Sequence, residues 1–310
     1  MNTWPDIPYA RWQPTGASLH LWLQIVGKFR LALTPWINHS WQAAFYVTTR
    51  GVTTGLIPGT ADHYSVHFDF VAHHLEVTSA SGKTERFALE SMSVAEFHGR
   101  FLDLLKAVGA PSEFHGAPNE LPTAVPFSEQ TDDGVYDPNA AHDFWRALVN
   151  IHTVFSHFRT SFLGKVSPVH LFWGSFDLAV TRFSGRTAPP HPGGIPHLPD
   201  AVTREAYSHE VSSAGFWAGG GGIDYPAFYS YAYPVPDGFG DYPIDVEDAF
   251  YSEALGEYVL PYDAVKNATD PQEKLLRFLD ATYRAAAETA EWDRASLDCK
   301  LGQPGVPRAL

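Results

Sequence analysis

Apolar residues recur at helical spacing over residues 16–33, where Leu19, Trp22, Leu23, Val26, Phe29 and Leu33 form one stripe, and Pro35 ends the segment. A leader punctuated by Trp4, Pro5, Pro8, Trp12 and Pro14 precedes it. Strand-like runs then follow at Trp41–Thr48, Val52–Ile57, Tyr64–Phe70, Leu75–Thr78 and Glu85–Leu89. Turn pairs separate them, among them Arg50-Gly51, Pro58-Gly59, Ala72-His73 and Ser81-Gly82, and the pattern predicts an antiparallel meander. A helix is predicted from Ser93 to Val108, with Ser93 as its N-cap and Glu96 three residues on, the capping-box spacing.

Residues 109–138 are rich in Pro, Gly and acids, without periodicity, and read as a connector. Then the order begins again. A helix over Asn139–Leu163 is followed by a hairpin over 167–185, strand candidates at Glu205–Ser212, Ala227–Tyr233 and Glu257–Leu260, and a last helix over Asp270–Trp292. Phe29-Arg30 recurs as Phe158-Arg159, and Arg100-Phe101-Leu102-Asp103 as Arg277-Phe278-Leu279-Asp280. The expectation is an α+β chain, internally duplicated as two helix–antiparallel meander–helix units. The two would share one curved sheet with helices on one face, a topology similar to the saddle of TATA-binding proteins. The halves span 1–112 and 139–296, joined by the connector 113–138 and followed by a tail, 297–310, within one compact domain. The second half is longer, with a Gly-, Pro- and Tyr-rich loop insertion over 184–252 that reads as a cover over its sheet.

Composition narrows the function. The 310 residues are 45% hydrophobic and 14% aromatic, a surplus of rings that core and pocket walls can absorb. A formal net charge of −14 repels phosphate backbones and anionic lipid, which disfavours a nucleic-acid partner. The one cysteine, Cys299, excludes an intramolecular disulfide and any multi-cysteine metal site. No apolar window is long enough for a membrane span and no signal-peptide pattern opens the chain, so the expectation is a soluble cytoplasmic protein.

The candidate chemistry centres on the 167–185 hairpin, which sets His170, Trp173, Asp177 and Arg182 among apolar residues. Ionisable groups inside a sheet are costly unless paired. Pairing with a strand through Tyr207-Ser208-His209-Glu210 would bring His209 and Glu210 toward His170, and two histidines with a carboxylate can hold a divalent metal ion or serve as acid and base. In that reading Asp177 orients a histidine and Arg182 anchors an anionic group. Trp173, Trp217 and Tyr207 are the candidate walls for a bound cofactor or ligand. The same ionisable groups fit a buried hydrogen-bonded network equally well. His39 and Trp41, ahead of the first strand, are placed to line the opposite side of a shared cleft.

Residues 175–186 (Ser-Phe-Asp-Leu-Ala-Val-Thr-Arg-Phe-Ser-Gly-Arg), residues 207–217 (Tyr-Ser-His-Glu-Val-Ser-Ser-Ala-Gly-Phe-Trp) and the leader with Trp-Pro-Asp-Ile-Pro-Tyr resemble a bacterial family, domain of unknown function 5996. The resemblance spans nearly the whole chain and implies no activity. The expectation from the residues is an enzyme acting on a small organic molecule between the second-half sheet and its loops. The alternative is a non-catalytic ligand-binding or assembly module with an aromatic pocket.

Overall fold

Helix α1, Tyr9–Leu33, is buried on every side over its second half: each residue from Trp22 to Arg30 is buried, Gln24, Lys28 and Arg30 included. A helix surrounded in this way holds its polar residues only where neighbours satisfy them, and Gln24 and Lys28 lead directly to the site described below. The computed structural model describes residues 4–220 and 222–308. α1 starts two turns earlier than its apolar stripe predicts, with Pro14 inside it. Pro14 removes one internal hydrogen bond, while Trp12, stacked on Phe144 at 4.3 Å, holds the early turns against the core.

After a 3-10 turn at Asn38–Ala43 come β1 (Tyr46–Val47), β2 (Gly51–Thr53), β3 (Tyr64–Asp69), β4 (His74–Ser79) and β5 (Thr84–Ala88), an antiparallel sheet in sequence order. The predicted run from Trp41 is thus a strand only at its end. Across β3 and β4, Val66 faces Val77 and Phe68 faces Leu75, and all four are fully buried. They pack under α2 (Val94–Val108), which begins as its capping spacing predicts: the Ser93 hydroxyl accepts from the Glu96 N–H at 3.1 Å. Phe97 of α2 stacks on Trp22 of α1 at 4.8 Å, tying the helix layer together.

The connector leads into α3 (Pro138–Arg159), where Asp137 caps the N–H groups of Asn139 and Ala140. The second sheet contains β6 (His170–Phe172), β7 (Asp177–Thr187), β8 (His209–Trp217), β9 (Ala227–Tyr233), β10 (Phe250–Ser252) and β11 (Glu257–Pro261), in the spatial order β10-β11-β9-β8-β7-β6. The chain is completed by α4 (Asp200–Ala206), α5 (Tyr262–Lys266), α6 (Pro271–Thr289) and α7 (Arg294–Leu297).

Two expectations need correction. The strand expected at 205–212 is the end of α4 followed by the start of β8; Pro199 and Asp200 open a helix there instead. The 184–252 stretch is also less of a loop than its Gly, Pro and Tyr content implies. The strand expected at Ala227–Tyr233 forms as β9, but β8 also runs on past Ser212 to Trp217 and α4 precedes it.

The fold is mixed α+β with two antiparallel sheets. Phe45, just before β1, exchanges both backbone hydrogen bonds with Leu171 of β6 at 2.8 Å, so the two sheets meet edge to edge. Registers fix the faces of the second sheet. Leu178, Val180 and Arg182 share one face with Ala214 and Phe216; Asp177, Ala179, Thr181 and Phe183 share the other with Val211, Ser213, Tyr229 and Tyr231. α3 and α6 cover the first of these faces, and the opposite one is turned toward the site. Among the described residues, no helix is long and apolar enough to cross a membrane.

Candidate functional site

A cavity of about 490 Å³ lies against that uncovered face of the sheet. It is enclosed by the C-terminal half of α1, the 3-10 turn, connector residues 115–120, the turn after β6, and residues 195–207. That size suits a drug-sized ligand, and the walls are chiefly apolar, with the rings of Trp36, Trp41, Trp173, Phe172 and Phe183 among them.

Lys28 enters the cavity from α1. Its side chain is almost wholly buried, and its ammonium donates to Oδ1 of Asn119, lies 3.5 Å from Nδ1 of His115 and sits 5.4 Å above the Trp173 ring. The indole fits against α1 because residue 27 is glycine; a Cβ there would collide with the Trp173 ring. Trp173 is fixed in turn by donating from Nε1 to the Ala43 carbonyl at 2.7 Å. Burial pulls the Lys28 ammonium down to about 8, with Glu120 opposing.

The connector is pinned to α1 by a reciprocal amide pair. Gln24 donates to the Asn119 carbonyl at 3.0 Å and accepts from the Asn119 N–H at 2.8 Å. This holds the next residue, Glu120, at the cavity wall in left-handed backbone (φ 63°), its N–H donating to the Pro196 carbonyl at 2.9 Å. A non-glycine residue there stores strain that the surrounding bonds must hold. Burial, and then the nearby Asp177, push the Glu120 carboxyl up to about 7. Ser175 lies beside both acids, and its hydroxyl donates to Oδ1 of Asp177 at 2.8 Å. Asp177 is fully enclosed, takes a second hydrogen bond from the Tyr229 hydroxyl, and is raised by burial. Glu257, on the same face of β11, is raised to about 7 by burial and by Asp177.

His170 and His39 are among the four histidines of the lining. His170 donates from Nδ1 to the Pro168 carbonyl at 2.7 Å, which leaves Nε2 as an acceptor, and burial lowers it to about 4, so it stays neutral. His39 accepts at Nε2 from Lys165 at 2.8 Å and donates from Nδ1 to the Ala206 carbonyl at 2.6 Å. Four buried polar atoms of the lining have no hydrogen-bond partner: Ser40 Oγ, Gln42 Nε2, His170 Nε2 and Thr203 Oγ1. These atoms are themselves buried, so they lie within the wall and not at its open surface.

The model of a family of unknown function (DUF5996) matches residues 4–299. The chain belongs to this family. No curated protein and no solved structure matched it.

In this DUF5996 chain the residues singled out from the sequence part company. His170, Trp173 and Tyr207 line the cavity, as do His39 and Trp41. Asp177 stands behind it, reached through Ser175. Arg182 is on the opposite sheet face, where its guanidinium donates to the Phe158 carbonyl at 2.5 Å and to Ser161 at 2.8 Å, 3.5 Å over the Phe158 ring and 4.3 Å over that of Tyr283. It reads as a core fixture and does not reach the cavity as an anion anchor. Trp217 packs on Tyr229 at 6.0 Å, outside the lining.

The metal set His170, His209 and Glu210 is not brought together. Ala179, the partner of His170, pairs with Gly215, six residues along β8 from His209, about 20 Å at the rise of a strand. Glu210 points to the other face, paired with Arg186 at 2.7 Å and accepting from Ser184 at 2.8 Å. Strand periodicity puts neighbours such as His209 and Glu210 on opposite faces. Among the described residues, no group of three or more His, Cys, Asp or Glu is arranged to hold a metal ion. Lys28, Asn119 and Glu120 went unnoticed in the sequence. The one available signal was an acid in a long connector, flanked by prolines at 118 and 122.

Proposed function

We propose that this chain is an enzyme that moves a proton to or from a small organic molecule held in the cavity, with Glu120 as the acid–base group. The observation that carries the reading is the pairing of Glu120 with Lys28. One carboxyl and one amine, brought toward neutrality from opposite sides by burial, face a single ring-walled cavity. A general acid–base group works best when its proton equilibrium lies near the working pH. The charge of Asp177 helps hold the Glu120 carboxyl up, and Ser175, bonded to Asp177, stands beside it.

The second reading, a binding module without chemistry, is favoured by the apolar, ring-bearing lining. The two separate in one experiment. A small-molecule mixture incubated with the protein in D2O is followed by mass spectrometry. The enzyme reading expects one component to be converted or to gain deuterium with wild type and not with Glu120→Gln. Conversion undiminished in E120Q contradicts it, and binding without conversion by wild type favours the module.

The same reading takes the two halves as copies of one helix–meander–helix unit. Its support is the edge-to-edge bridge between Phe45 and Leu171 and the matching placement of Arg100–Asp103 on α2 and Arg277–Asp280 on α6.

A further inference from the structure

Among the described residues, the one ammonium on the cavity wall is that of Lys28. Lys28 carries three N–H donors, and Asn119 and His115 are the acceptors beside it; among the described residues, no carboxylate lies within ion-pair distance of its ammonium. The Gln42 amide accepts from the Ile37 N–H at 3.0 Å through its oxygen, so its unpartnered Nε2 is a pure donor. The unpartnered hydroxyls of Ser40 and Thr203 can each donate or accept. These three groups and His170 Nε2 are themselves buried in the wall, so the charged donor that the cavity presents to a ligand is Lys28. A buried cation is costly unless an opposite charge meets it, and Glu120 acts on Lys28 only from beyond ion-pair distance. A molecule carrying a negative charge on acceptor oxygens supplies the missing partner. The remaining walls, Trp36, Trp41, Trp173, Phe172 and Phe183, suit a flat apolar body.

We infer that the cavity binds an organic acid: a carboxylate on a ring-bearing apolar body, with the carboxylate on Lys28 and the rings among the tryptophans. Lys28 is then the residue that selects the substrate by charge, and Glu120 lies next to the anchored group. The inference rests on the cavity being the substrate site, and adds the class of molecule to it.

The test compares three isosteric probes by isothermal titration calorimetry at pH 7: 2-naphthoate, the neutral 2-naphthamide and the cationic 2-naphthylmethylamine. The expected order is acid, amide, amine, with the acid at least ten-fold tighter than the amide. Lys28→Met closes that gap. E120Q, which removes the neighbouring negative charge, tightens the acid several-fold. Amide binding as tightly as acid, a preference for the amine, or no binding of any probe at millimolar concentration overturns the inference. The probe comparison needs no variant, so it stands even where K28M fails to fold. Acid binding without turnover of any compound would sink the proton-transfer reading alone; turnover of a molecule that binds without charge preference would sink this inference alone.

Discussion

Gly174 lies against the carboxyl of Glu120: a Cβ at residue 174 would take the place of Oε1. The turn between β6 and β7 therefore sets where the Glu120 side chain rests, although more than fifty residues separate the two in sequence. Gly174→Ala should push the carboxyl away from Ser175 and toward solvent while leaving the turn intact, because the obstructing atom is the end of a flexible side chain. Glu120 would then titrate closer to an ordinary glutamate, and any turnover should fall by about ten-fold or more, since an ångström of misplacement in a catalytic group costs on that order. Unchanged turnover in G174A would detach Glu120 from the chemistry.

Glu120 and Glu257 both hold their protons to about pH 7 in the folded protein. Unfolded, each would lose its proton near the ordinary glutamate value, so between roughly pH 4.5 and 7 the folded state binds more protons than the unfolded one. Stability from these groups is therefore present at acid pH and is lost as pH rises through 7. Glu120→Gln and Glu257→Gln should each stabilise the fold at pH 8 by about 1–3 kcal/mol, with little effect at pH 5. Chemical denaturation at the two pH values checks this; an equal effect at both would contradict it.

His170 works in the opposite direction. Burial holds it neutral down to about pH 4, whereas the unfolded chain takes up the proton near 6.5. The unfolded state binds more protons in that window, so stability is lost as pH falls from 6.5 toward 4. His170→Phe should flatten this acid limb in a pH series of thermal melts. A limb of unchanged steepness would place the acid sensitivity elsewhere.

Arg182 shows what a buried charge looks like when it serves packing. Its guanidinium lies over the rings of Phe158 and Tyr283 and donates to a carbonyl and a hydroxyl at the end of α3. Lysine cannot reproduce a planar stacked fork. Arg182→Lys should cost about 1–3 kcal/mol of stability, while probe affinity in the cavity stays within two-fold. A selective loss of binding in a stably folded R182K would return Arg182 to the site.

The fold was more legible than the site. Ser93 and Glu96 announced the start of α2, and the alternation through Tyr64–Ser79 announced β3 and β4, because local hydrogen bonds and one buried face write themselves into short patterns. α4 was hidden, since seven residues carry too few turns to show a period. The cavity was legible on its sheet side, where His170 and Trp173 stand out among apolar neighbours. It was illegible on its other side. Lys28 lies on a helix buried all round, so no polar face distinguishes it, and Glu120 owes its position to Gln24, ninety-six residues earlier, through bonds to Asn119 that no local pattern predicts.

The proposed chemistry turns on the protonation of a single carboxyl in a ring-walled cavity. Carbon-13 NMR of glutamate side-chain carboxyls through a pH titration, with E120Q to assign the resonance, measures it directly. The expected result is a Glu120 signal that shifts at about pH 7 and moves when 2-naphthoate is added. A signal titrating near the ordinary glutamate value and indifferent to the probe would contradict it.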